Sequence, residues 1–162
     1  MTITEVLTQQ RDQWKLLGAG AWIFYDFLLR HGRAYDGIPL PRRYAKRAPR
    51  ACFYNARQLV CGSRTLIYCQ GYAMNNTLVF PFEHAWALDA RGRVIDPTLA
   101  EPANYEYYGI ALERSWLRRE WRYTGPLADD WGIPRLEVLR VVGPDWYRDV
   151  FEPELAKHAS QI

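Results

Sequence analysis

A thiol, an imidazole and a carboxylate lie in three short segments near the middle of this sequence, and together they could perform nucleophilic catalysis. Cys52 lies in the segment 51–56, His84 in 83–86 and Asp96 in 94–98. A thiol becomes a strong nucleophile when an imidazole takes its proton, and a carboxylate can hold that imidazole in the required tautomer. The order Cys52, His84, Asp96 therefore predicts a catalytic triad.

A helix over residues 51–60 is predicted to position the thiol. Cys52, Asn55, Ala56 and Leu59 recur at helical spacing and share one face. Cys52 then lies in the first turn, where backbone N–H groups and the positive end of the helix dipole favour a thiolate and can bind an oxyanion. Gly62 is predicted to close this helix.

A hairpin is predicted to bring the imidazole and the carboxylate together. Strands are expected over 83–90 and 93–97, joined by a tight turn at 90–93. Alternation along the first strand places His84 on the same sheet face as Trp86. Counting back from the turn puts Leu88 opposite Val94, or one step away. Asp96 is therefore expected across from Trp86 or His84, within reach of the imidazole.

The other predicted elements complete one α+β domain over 1–162, with N-terminal helices packed on an antiparallel sheet. Residues 5–31 have helical spacing, and glycines at 18 and 20 allow two helices there instead of one. Residues 32–50 are predicted to be a loop with little regular structure. Further elements are expected as strands at 65–74, 105–113 and 135–142, a short helix or strand extension at 114–122, and a helix at 146–156.

Length and composition fit a soluble, cytoplasmic protein. The 162 residues are 49% hydrophobic, enough for a core without help from metal or disulfides. The N-terminus lacks a signal-peptide pattern, and the apolar stretch 19–29 is too short to span a bilayer, so no membrane contact is expected. Three cysteines without a CxxC pair predict neither a disulfide framework nor a metal site, and no cofactor is implied.

Arginines gather in two clusters, at 42–50 and 114–122, although the net charge is only +3. Both clusters could be ordinary solvated surface. The first cluster has a second interpretation, because it immediately precedes Cys52. Positive charge there would favour the thiolate and attract an acidic substrate. No nucleic-acid-binding motif is present, which disfavours nucleic acid as a partner.

Four of these features, in this order, resemble the core of the transglutaminase-like superfamily, which has a papain-like Cys-His-Asp centre. The matching residues are Cys52 at a helix start, Gly71-Tyr72 on the next strand, His84 in His-Ala-Trp and Asp96 in Asp-Pro-Thr. The resemblance covers about 49–98 and implies a transglutaminase-like core with Cys52, His84 and Asp96 as catalytic residues. Proteins with this fold include peptidases, amidases, acyl transferases and inactive relatives, so the fold alone does not determine the reaction.

Three polar or aromatic side chains near the triad are weaker candidates. Asn55 and Gln70 could donate to an oxyanion, or could only satisfy backbone groups. Trp86 could contact substrate, or could be a core residue. The two other cysteines, Cys61 and Cys69, are predicted to serve packing alone. Ala51 stands where many transglutaminase-like proteins carry another residue, so the resemblance does not transfer an oxyanion arrangement.

Two functions of different classes follow from this pattern. The first is a cysteine-dependent acyl-transfer enzyme acting on a protein or peptide, most simply a thiol hydrolase that cleaves an amide or peptide bond. An amine in place of water would make it an acyltransferase. The second is a catalytically inactive transglutaminase-like domain that binds a partner protein, in keeping with the abundance of Tyr, Trp and Arg.

Overall fold

The computed structural model describes residues 1–18 and 21–112, which form helices packed on one antiparallel sheet. In chain order the elements are α1 (Ile3–Leu16), α2 (Trp22–His31), β1 (Arg33–Asp36), α3 (Cys52–Cys61), β2 (Ile67–Asn75), β3 (Pro81–Leu88), β4 (Val94–Ile95) and β5 (Tyr105–Leu112). The α+β class predicted from the sequence is confirmed. The elements predicted at 114–122, 135–142 and 146–156 lie outside the described residues.

The N-terminal helical region is two helices. Thr2 caps α1 by accepting the Glu5 backbone N–H, while the Glu5 carboxylate accepts the Thr2 N–H. The chain leaves α1 through Gly18, whose φ of 66° lies in the left-handed region that glycine adopts most readily. The alternative of two helices in place of one is therefore the correct one.

The sheet has the strand order β1-β5-β2-β3-β4 with every pair antiparallel. Four of the strands that the sequence predicts correspond to β2, β3, β4 and β5, and their bounds lie within a few residues of those expected. The expectation of little regular structure over 32–50 missed β1, which pairs with β5. A four-residue strand carries too little periodicity to be recognised, and its formation depends on a partner some seventy residues away in the chain.

The two faces of the sheet have different coverings. On one face, residues of β2, β3 and β5 such as Tyr68, Ala85 and Ile110 join a core with apolar residues of all three helices. On the other face, a smaller core of sheet residues includes Cys69, Trp86 and Tyr107. No helix in the described part of the chain is long and apolar enough to cross a membrane.

A glycine in β5 allows the second core to form. A Cβ at Gly109 would lie 2.5 Å from a ring carbon of Trp86 and 2.6 Å from the backbone oxygen of Gln70. Only glycine therefore lets the Trp86 ring lie directly against the sheet at this point. This indole is one wall of the environment of His84, as described below.

Candidate active site

Cys52 is the first residue of α3, as the sequence predicts. The residue before the helix, Ala51, makes no side-chain capping bond, and the first N–H groups of a helix have no partner inside it. The Cys52 thiol lies within hydrogen-bonding reach of the His84 side chain and of the backbone N–H groups of Phe53 and Ala85. The thiol is therefore held at a helix N-terminus and against an imidazole.

A strained turn leads into α3. Arg50 has a φ of 62°, the one positive value for a non-glycine residue among residues 1–18 and 21–112. Such strain persists only where surrounding contacts impose it. Asn55 supplies one such contact, because its amide nitrogen donates to the Ala48 carbonyl at 2.7 Å. The same nitrogen donates to the Thr98 hydroxyl at 3.1 Å.

Those two bonds settle where the Asn55 amide points. A side-chain amide has two N–H donors, and both are used to tie the turn before α3 and the loop after β4 to the helix. Asn55 is also only 3% exposed. The arrangement favours the structural interpretation of Asn55 over a role in binding an oxyanion.

The thiol reaches the imidazole at the outer edge of β3. The short strand β4 pairs with β3 only at Ala87 and Leu88, so β4 does not cover the earlier part of β3. The helix α3 packs beside this strand, with Ala56 and Val60 in the same core as Ala85 and Ala87. The Ala85 N–H is then available to the thiol instead of to a neighbouring strand.

Asp96 orients the imidazole from the other side. The Nε2 atom of His84 lies 2.7 Å from Asp96 Oδ2, which leaves Nδ1 as the nitrogen for Cys52. The Tyr107 hydroxyl donates to the same oxygen at 3.0 Å. Asp96 Oδ1 accepts the backbone N–H groups of Thr98 (2.8 Å) and Leu99 (3.3 Å). The carboxylate is thus held rigidly in its ionised form.

An aromatic layer surrounds the imidazole. The Trp86 ring stacks against His84 at 6.3 Å between centroids, while Phe82 at 5.6 Å and Tyr107 at 6.1 Å meet it at steeper angles. His84 is 2% exposed and Asp96 1%. Trp86 is 0% exposed, so its position favours the core interpretation over contact with substrate.

The pKa values of the triad move in the directions that activate a thiol. Burial raises the pKa of Cys52, but the bonds to His84 and to two backbone N–H groups outweigh it and leave the pKa below its ordinary value. Burial lowers the pKa of His84, but bonds to Asp96 and Cys52 raise it overall to about 9. Burial of Asp96 is likewise outweighed, chiefly by His84, so its pKa is lowered. These shifts favour a thiolate–imidazolium pair near neutral pH.

The remaining candidates lie away from the triad. Gln70, on β2, points to the face of the sheet opposite to that of His84. Its Oε1 accepts the Tyr68 hydroxyl there at 3.0 Å. Cys69 is fully buried, and burial raises the pKa of its thiol. Cys61 is exposed at the far end of α3, roughly 14 Å along the helix from Cys52. Cys52 is the cysteine that the structure places beside His84.

Tyr107 is the site residue that sequence reasoning missed. Its hydroxyl reaches Asp96 only because β5 pairs with β2, which in turn pairs with β3. The alternation of Tyr105 and Tyr107 along a predicted strand was the available signal, but it does not say which strand is the neighbour.

The described residues contain no cluster of three or more His, Cys, Asp or Glu suited to a metal ion. No protein-family model matches the chain, and comparisons with curated proteins and with solved structures give no match. The transglutaminase-like resemblance thus stays a prediction from four sequence fragments. The roles discussed below come from this chain's own geometry.

Proposed function

We propose that this protein is a cysteine-dependent acyl-transfer enzyme that hydrolyses an amide or peptide bond. One observation carries the proposal: Cys52, at the uncapped start of α3, lies within hydrogen-bonding reach of His84, and His84 hydrogen bonds to the ionised Asp96. Nucleophile, base and orienting group are the three parts that such catalysis requires. A protein or peptide is the proposed substrate.

The proposed reaction proceeds in two halves. The Cys52 thiolate attacks the carbonyl carbon, a C–S bond forms, and the first-turn N–H groups of α3 stabilise the oxyanion. The His84 imidazolium gives its proton to the leaving amine as the C–N bond breaks. Water then attacks the thioester while His84 takes its proton, and the C–S bond breaks, which releases the carboxylic acid and restores the Cys52 thiolate and the His84 imidazolium. Asp96 keeps Nε2–H of His84 oriented throughout.

A second candidate function is a binding domain whose triad does no chemistry. The observation in its favour is burial, since Cys52 is 9% exposed and His84 2%. In that case a partner would occupy some other surface, and the triad would serve only to hold α3 against β3. This alternative predicts that Cys52 behaves as an unreactive buried thiol.

Acetylation by p-nitrophenyl acetate distinguishes the two. In the enzyme, the Cys52 thiolate displaces p-nitrophenolate and forms an acetyl thioester, which peptide mapping locates. We expect this adduct in a Cys61→Ser background and its hydrolysis over time. His84→Gln should reduce the acetylation rate by at least ~100-fold, as expected for loss of a general base. Equal acetylation rates with and without His84 would exclude the triad mechanism.

A further inference from the structure

A long part of the chain around the thiol carries positive charge alone. Between residues 37 and 82 there are seven Arg or Lys and no Asp or Glu, although the whole protein has a net charge of only +3. Five of the seven lie in what we call the basic segment, residues 42–50, which leads directly into α3. Arg57 lies on α3 itself. The imbalance is thus concentrated beside Cys52.

Hydrogen bonds hold the basic segment against the triad. The Arg47 backbone N–H donates to the Pro97 carbonyl at 2.8 Å, one residue beyond Asp96. The Lys46 ammonium donates to the Leu99 carbonyl at 3.2 Å. The Ala48 carbonyl accepts the Asn55 amide of α3. Residues 46–48 are therefore bonded to the loop that follows Asp96 and to the helix that carries Cys52, and the arginines extend from a fixed position.

These charges are not neutralised within the described part of the chain. Arg42, Arg43, Lys46, Arg47 and Arg50 are all exposed, and none makes an ion pair with a described residue. Arg50 is two residues from Cys52, a Cα separation of at most ~7 Å. The positive end of α3 adds potential of the same sign at the thiol. An anion approaching Cys52 meets attraction from both sources.

We propose that the basic segment recognises an acidic peptide and delivers it to Cys52. This inference rests on the proposed function and adds its substrate class. The segment leads to a thiol, whose target is a carbonyl carbon, and a peptide carries both the carbonyl and the acidic side chains. A nucleic acid would match the charge but offers a phosphodiester in place of the amide.

Two alkylating reagents of nearly equal size measure the potential at Cys52 without a known substrate. Iodoacetate is an anion and iodoacetamide is neutral, and the same thiolate displaces iodide from both. The ratio of the iodoacetate rate to the iodoacetamide rate is therefore independent of the pKa of the thiol. In the Cys61→Ser protein, we expect that ratio at Cys52 to exceed the ratio for N-acetylcysteinamide by ~10-fold at low salt. Raising NaCl to about 0.5 M should abolish most of the difference, because salt screens exposed charges.

Charge reversal in the basic segment tests its role. Arg42→Glu combined with Arg47→Glu should lower the ratio several-fold at low salt. Arg64→Glu combined with Arg91→Glu makes the same change of charge at exposed arginines outside the segment, and it should leave the ratio nearly unchanged. An equal loss in both double variants would mean that net charge alone acts, and it would overturn a specific role for the segment.

Protection experiments identify the class of ligand. Poly-L-glutamate should slow the labelling of Cys52 by iodoacetamide in the wild type but not in the Arg42→Glu, Arg47→Glu variant. Protection by a single-stranded oligonucleotide and not by poly-L-glutamate would overturn the acidic peptide in favour of nucleic acid. If Cys52 is inert to both alkylating reagents, the proposed function fails. If it reacts without charge preference, only this inference fails.

Discussion

At the scale of single residues, burial and hydrogen bonding have opposite effects on the charged forms of three ionisable groups. Burial works against every charge in it, since His84 and Asp96 are almost inaccessible. Direct hydrogen bonds among Cys52, His84 and Asp96 outweigh that burial. Removing one member should therefore shift the pKa of the next instead of leaving it unchanged.

The thiol tests this directly. We expect wild-type Cys52 to react with iodoacetamide well below pH 8.5, the region where an ordinary thiol begins to ionise. In His84→Gln the profile should move to higher pH, because burial then acts without the opposing bond. Peptide mapping of labelled protein gives the profile for Cys52 separately from Cys61 and Cys69. Superimposable profiles of the two proteins would contradict the pairing.

Tyr107 provides a test of positioning. Tyr107→Phe keeps the ring but removes one of two donors to Asp96 Oδ2, so His84 becomes the remaining side-chain donor there. We expect the NMR resonance of the His84 Nε2 proton to move downfield, and the free energy of unfolding to fall by about 1–2 kcal/mol. Tyr68→Phe removes a buried hydroxyl on the opposite face. That control should lose stability without moving the resonance, and an unmoved resonance in Tyr107→Phe would argue against the contact.

At the scale of elements, the site depends on how α3, the basic segment and the β3–β4 hairpin are joined. Asn55 joins two of these to α3 through Ala48 and Thr98. The Asp96 carboxylate holds the loop after β4 by accepting two of its backbone N–H groups. Local sequence patterns account for each element, but these side-chain bonds set the distances between them.

Replacing Asn55 should loosen that junction. Asn55→Leu keeps the approximate volume but leaves the Ala48 carbonyl and the Thr98 hydroxyl without this partner. We expect a loss of about 2–3 kcal/mol in the free energy of unfolding, measured in urea, with slower alkylation of Cys52. Gln58→Leu, at an exposed position of the same helix, should change stability by less than ~0.5 kcal/mol. Equal stability of the two variants would refute the role given to Asn55.

The glycine beneath the Trp86 ring gives a second element-level prediction. Gly109→Ala places a methyl group 2.5 Å from the Trp86 ring and 2.6 Å from a backbone oxygen, so the strands or the indole must move. We expect a loss of about 1–3 kcal/mol in unfolding free energy, measured in urea. Gly62→Ala is a matched control, because its φ is −79° and the nearest atom would be 3.4 Å away. A tolerated Gly109→Ala would show that the ring is not packed this closely.

At the scale of the whole molecule, the triad couples stability to pH. The pKa of His84 is raised from 6.5 to about 9, so the protonated ring stabilises the folded state fully below pH 6.5 and loses that effect as pH rises through about 9. The lowered pKa of Asp96 acts in the opposite direction and loses its contribution only in acid. Both contributions are present together at weakly acidic to neutral pH.

Unfolding in urea at several pH values should show this dependence. The comparison is made in a Cys52→Ala background, which removes the coupled thiol while Asp96 still raises the pKa of His84. We expect Cys52→Ala to lose more stability between pH 7 and pH 10 than the Cys52→Ala, His84→Gln double variant, with the difference on the order of 1–3 kcal/mol. The double variant lacks both titrating groups, so its remaining dependence reports the other residues. Parallel declines in the two proteins would show that His84 has no raised pKa in the folded state.

Sequence reasoning succeeded wherever the determining contacts were local. Helical spacing identified α3 and placed Cys52 at its start. His84 and Asp96 are twelve residues apart across one hairpin, so alternation and the turn set their register, including Leu88 opposite Val94. The prediction missed β1, because a strand of four residues has almost no recognisable periodicity and forms by pairing with the distant strand β5.

By itself, then, the sequence determined which three groups could react and that two of them share a hairpin. Only the tertiary structure decided that Cys52, thirty-two residues before His84, packs against the outer edge of β3. It also decided that Tyr107 completes the contacts of Asp96, and that Trp86 is buried. The physical reason is that periodicity records which face of an element is apolar, whereas the choice of neighbouring element depends on packing among distant segments.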